Sequence, residues 1–68
     1  MERLTLRTKP GSTVFWDEKD GLYVVPADID DPSWYTRYYG ELVSFQGVMA
    51  FVRVDGGAER GVFLGSVR

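Results

Sequence analysis

The sequence predicts an α+β fold, mainly antiparallel β in the order βββ-α-βββ, either a small SH3-like barrel or a bent sheet with one short helix. Three observations lead there: strict alternation at the N-terminus, a stretch with helix-cap residues at both ends, and a return to strand-like runs after it. With 68 residues and 44% hydrophobic composition the chain reads as one small folded domain, 1–68. A domain of this size buries only about 60% of the surface its unfolded chain exposes, so its stability is small.

Residues 3–8 alternate, Leu4 and Leu6 on one side and Thr5 and Arg7 on the other, the period-2 pattern of a half-buried strand. Lys9-Pro10-Gly11-Ser12 follows. Proline presets the second position of a type II turn and glycine accepts the positive φ of the third. A second strand, 13–16, is expected to fold back on the first. Residues 17–21 read as a polar loop and 22–25 as a third strand.

Pro26 closes that strand, and the run ADIDDPSWYTRYYG, 27–40, carries the signs of a helix. Asp31 suits the N-cap, Pro32 the first helical position and Gly40 the stop. Asp28 and Asp30 lie where a helix dipole favours carboxylates. On this reading Trp34, Tyr35 and Tyr38 form the packing face of a helix over 32–39, too short to stand without a sheet beneath it. Strands 41–45 and 48–54 around Gln46-Gly47, a turn at 55–59 and a last strand over 60–67 complete a second meander.

Several functions are disfavoured by composition. There is no histidine or cysteine, and serines 12, 33, 44 and 66 have no recognisable base partner, so a non-enzymatic protein is expected. The acidic groups do not follow the alternate spacing of an EF-hand loop, so no metal and no cofactor are expected. No stretch reaches the roughly 20 apolar residues of a membrane helix, and the cysteine-free chain suits the cytoplasm.

Charge is the most informative feature. Residues 17–31 hold Asp17, Glu18, Asp20, Asp28, Asp30 and Asp31 against Lys19 alone, a formal −5, while the segments before and after carry +2 and +1. Such a cluster repels a phosphate backbone and argues against direct nucleic-acid binding. It instead suits a groove on a basic nucleic-acid-binding protein, where carboxylates pair with the arginines and lysines that hold phosphates. The expected function is therefore a protein-binding inhibitor with an acidic face that mimics nucleic acid, analogous in size and charge to phage-encoded inhibitors such as anti-CRISPR proteins. Its expected contacts are Asp17, Glu18, Asp20, Asp28, Asp30 and Asp31, with Tyr39 as an apolar anchor. The alternatives are a small-barrel nucleic-acid or regulatory binding module using Arg37, Arg53 and Arg60, and a structural part of a larger assembly that pairs through a strand edge.

Overall fold

A computed structural model describes residues 1–19 and 32–68. They form one mixed five-stranded sheet in the order β1-β2-β3-β4-β5, with β1 at Glu2–Arg3, β2 at Thr13–Lys19, β3 at Tyr35–Gln46, β4 at Met49–Arg53 and β5 at Glu59–Phe63. All neighbours are antiparallel except β1 and β2, which run parallel.

The expected α+β class is corrected by this architecture: among the described residues the only helical pieces are 3₁₀ turns, at Pro32–Trp34, Asp55–Gly57 and Leu64–Ser66. Where a helix was expected, the chain makes a single 3₁₀ turn and enters β3, the longest strand. Tyr35, Thr36, Tyr38 and Tyr39 are β-branched or aromatic and favour a pleated surface. As a strand this segment bonds to β2 along seven registered pairs, from Thr13↔Glu41 to Lys19↔Tyr35, whereas an isolated eight-residue helix is marginal. Gly40 is no helix stop. It sits within β3 where a Cβ would lie 2.8 Å from the Arg53 carbonyl oxygen, so only glycine allows that close approach.

The N-terminal strand is shorter than the alternation suggests, and its direction differs. The turn at Lys9–Ser12 forms as expected, with Gly11 at φ 94 and the Ser12 amide donating to the Lys9 carbonyl at 3.2 Å. A second turn precedes it. The Thr8 amide donates to the Thr5 carbonyl, and the buried Thr8 hydroxyl accepts from the Thr5 amide and donates to the Arg3 carbonyl. These threonine bonds compete with a continued strand. Two successive reversals return the chain in its original direction, which is why β2 lies parallel to β1 and Leu6 is exposed while Leu4 is buried.

Further along, β3 carries a bulge between Leu42 and Ser44. It lets Leu42 and Phe45, three apart, both serve the core, a spacing that regular alternation forbids. The β3–β4 hairpin turns at Gly47, φ 60, between paired Gln46 and Met49. The expected strand at 22–25, the Asp31 cap, Asp28 and Asp30 lie outside the described residues.

The inner face of the sheet gathers Leu4, Val14, Trp16, Leu42, Ala50, Val52 and Val62, with Tyr38, Phe45, Val54, Leu64 and Val67 packed against them. After β5 and its 3₁₀ turn the chain comes back to β2: Val67 bridges Glu18, and the Arg68 and Asp17 backbones exchange both hydrogen bonds. The sheet is thus bent around one core. No buried side-chain nitrogen or oxygen among the described residues lacks a partner.

Candidate functional site

β2 runs three residues beyond the expected 13–16, and that extension decides the placement of the first two acids. Successive side chains on a strand point to opposite faces. Val14, Trp16 and Glu18 belong to the inner side, and Phe15 and Asp17 to the outer side. Asp17 and Glu18, adjacent in sequence, therefore do not share a surface.

On the outer face the cross-strand pairs are Phe15↔Tyr39 and Asp17↔Arg37, with Arg3 of β1 beside Phe15. The Arg37 Nε and Nη2 donate to the two Asp17 carboxylate oxygens at 2.9 and 3.2 Å, and the Arg3 Nη1 donates to the same carboxylate at 3.2 Å. Both guanidiniums lie over the Phe15 ring, at 4.8 Å for Arg3 and 4.6 Å for Arg37. Arg68 lies 5.2 Å over Tyr35 on the neighbouring part of this face. Arginine over an aromatic ring contributes about 0.5–1 kcal/mol at exposed positions and fixes the plane of the guanidinium.

Electrostatics bind these groups into a unit. Hydrogen bonding from Arg37, opposed in part by burial and helped by Arg3, holds the Asp17 carboxyl down at about 2. The same hydrogen bond raises Arg37 above its ordinary value. Asp17 is mostly covered, with 16% of its side chain exposed, whereas Arg3 and Arg37 remain 43% and 48% exposed. The carboxylate acts as an internal counter-ion and the arginines form the surface. Tyr39 beside them is 54% exposed.

Glu18 serves the fold on the opposite side. Its Oε1 accepts from the Trp16 Nε1 at 2.7 Å, and its Oε2 accepts from the Arg60 Nη2 at 2.5 Å. Arg60 lies over Tyr38, which stacks on Trp16 with ring centroids 6.0 Å apart. A fully buried tryptophan needs a partner for its N–H, and Glu18 supplies it.

Of the seven expected contacts, the structure places Asp17 and Tyr39 on the outer face and Glu18 in the core-side network. Asp20, Asp28, Asp30 and Asp31 lie outside the described residues. Residues missing from the expected site are Arg3, Phe15 and Arg68. Phe15 and Arg37 become visible in the sequence once both segments are read as strands, but Arg3 and Arg68 are brought there by the parallel pairing and by the returning chain end.

Among the described residues no group of three or more His, Cys, Asp or Glu gathers as a metal site, and no helix is long and apolar enough to cross a membrane. By its fold the chain is a small, mostly β protein. No protein-family model matches it, and neither does any curated protein or solved structure.

Proposed function

We propose that this protein is a non-enzymatic protein-binding module whose contact surface is the outer face of β1, β2 and β3. The observation that carries the reading is the ordered arginine–aromatic arrangement, with Arg3 and Arg37 fixed over Phe15 by one carboxylate beside the exposed ring of Tyr39. Arginine and tyrosine are the residues on which interface energy concentrates. Side chains already held in place also lose less entropy on binding. We read its setting as cytoplasmic, since a chain without cysteine makes no use of an oxidising compartment.

A second reading keeps the acidic mimic of nucleic acid, directed at a basic nucleic-acid-binding protein. It is favoured by charge segregation: residues 20–31 contain Asp20, Asp28, Asp30 and Asp31 and no basic residue. Its inhibitory role rests on those four acids, because Asp17 and Glu18 are engaged by arginines of their own chain.

A tagged pulldown at low and raised salt, with partners identified by mass spectrometry, separates the two. The face reading expects Tyr39→Ala to lose the captured protein while Asp20, Asp28, Asp30 and Asp31 changed together to Asn keep it. The opposite pattern establishes mimicry. Recovery of further copies of this chain alone points to a part of an assembly.

A further inference from the structure

We propose that the free edge of β5 pairs antiparallel with β5 of a second copy of this chain, about a two-fold axis at Gly61, so that Phe63 of each copy fills the notch beside Gly61 of the other. β5 ends the strand order, and among the described residues it pairs with β4 alone. The opposite end offers no comparable edge, because β1 is two residues long and the returning chain end also pairs with β2. Proteins protect long edges with lysine, proline or bulges. Glu59–Phe63 has none of these.

The ladder with β4 fixes which backbone groups face outward. The Leu64 amide donates to the Val48 carbonyl at 3.0 Å and the Val54 amide to the Ala58 carbonyl at 2.9 Å. Both pairs continue the register of Ala50↔Val62 and Val52↔Arg60, so the even-numbered residues turn their N–H and C=O toward β4. Alternate residues of an antiparallel ladder turn theirs away, which leaves Glu59, Gly61 and Phe63 presenting them at the edge. The Phe63 carbonyl accepts from the Ser66 hydroxyl at 3.0 Å and keeps a second lone pair. An axis at Gly61 sets Gly61 against its own copy and Glu59 against Phe63, and every one of these outward groups gains a partner.

Side chains select the same register. Met49 and Phe51 share the outer side of the sheet with their cross-strand partners Phe63 and Gly61. A Cβ on Gly61 would lie 3.2 Å from the Met49 Sδ and 3.8 Å from the Phe51 ring, so its absence leaves a notch walled by those two side chains. Phe63 is 49% exposed. In the two-fold pair it stands diagonal to Gly61 of the second copy, a separation of about 7–8 Å that an aromatic side chain spans. One strand thus supplies both the notch and the ring that fills it, which is why the occupant is a second copy. Charge excludes the neighbouring registers: an axis at Arg60 opposes two arginines, whereas the axis at Gly61 opposes no like charges. An axis at Val62 leaves Glu59 against the 3₁₀ turn at Leu64–Ser66 and loses its hydrogen bonds. Five residues from each copy bury less than the about 1,200 Å² at the lower end of stable interfaces. The pair is therefore weak and reversible.

The test is sedimentation velocity of the full chain from micromolar to millimolar concentration, with filtered NOEs recorded on an equimolar mixture of ¹³C-labelled and unlabelled chains. A monomer–dimer equilibrium is expected, with NOEs between chains from the Phe63 ring to the Gly61 α-protons and with little dependence on salt. Gly61→Pro removes an N–H that the ladder with β4 does not use, a place where a sheet accepts proline. It should weaken association by at least about tenfold, since each copy loses a hydrogen bond. If Gly61→Pro does not fold, Phe63→Ser carries the same expectation. Leu6→Ser, which removes an exposed apolar side chain outside β5, should leave association unchanged.

A chain that stays monomeric throughout, or a dimer that Gly61→Pro and Phe63→Ser leave intact, overturns the proposal. So does growth beyond two copies, which a closed two-fold pair forbids. Association lost at raised salt assigns the contact to charges and equally overturns it. A monomer whose Glu59, Gly61 and Phe63 amides become protected only on adding a captured partner protein gives the edge to that partner and removes the second copy.

Discussion

Asp17 and Glu18 are neighbours on β2, each paired with arginine, yet they serve opposite sides of the sheet. Asp17 faces outward and organises Arg3 and Arg37, which stay accessible. Glu18 satisfies the buried indole of Trp16 and pins Arg60 over Tyr38. Similar chemistry thus gives a surface in one case and a closure of the core in the other, and strand parity is what separates them. A carboxylate count along the sequence is blind to this, because it adds side chains that point in opposite directions.

The largest blow to the inner side is Trp16→Ala. Removing a fully buried tryptophan costs about 3–5 kcal/mol, comparable to the whole stability of a domain this size, about 3–10 kcal/mol. Urea denaturation should show little or no folded protein. Next comes Glu18→Ala, expected to cost about 1–3 kcal/mol because it strands the buried Trp16 N–H and unpairs Arg60. Glu18→Gln, which retains an acceptor for the indole, should cost less. Equal losses would show that the ion pair with Arg60 matters more than the bond to Trp16.

The outer side is sharpened by pH. A carboxyl held at about 2 in the folded chain, against an ordinary 3.8, stabilises the native state above about pH 4. That contribution disappears as pH falls toward 2, where Asp17 becomes protonated even when folded. Asp17→Asn should flatten this part of the curve of urea midpoint against pH while keeping the native fold. An unchanged acid limb would break the assignment of Asp17 as counter-ion. The smallest effect belongs to Arg53→Gln: both members of its pair with Glu41 are half exposed, so stability should stay within about 0.5 kcal/mol.

These contrasts show how far the sequence could be read. The Lys9–Ser12 turn was legible because Pro10 and Gly11 constrain the backbone themselves, and the β3–β4 hairpin because Gly47 does. The helix was a misreading of local signals. Asp31, Pro32 and Gly40 mark helix ends, but five of the seven residues between Pro32 and Gly40 are aromatic or β-branched, and long-range pairing with β2 outweighs the caps. Parallel β1 was not legible, since it depends on threonine hydroxyls that turn the chain once more. Ending β2 at Trp16 left Asp17 and Glu18 in a loop, where they counted as one acidic patch; carried on to Lys19, the alternation separates them. Arg3, Arg37 and Arg68 are far apart in sequence, and only the folded topology brings them alongside β2.

One measurement tests most directly whether the outer face is the working surface: partner capture by Arg37→Gln and Arg60→Gln side by side, each confirmed folded. Both remove an arginine from an ion pair with a β2 carboxylate, one on each side. The account predicts that Arg37→Gln loses the partner and that Arg60→Gln, although less stable, retains it. Loss of capture by Arg60→Gln alone, or equal retention by both, would contradict it.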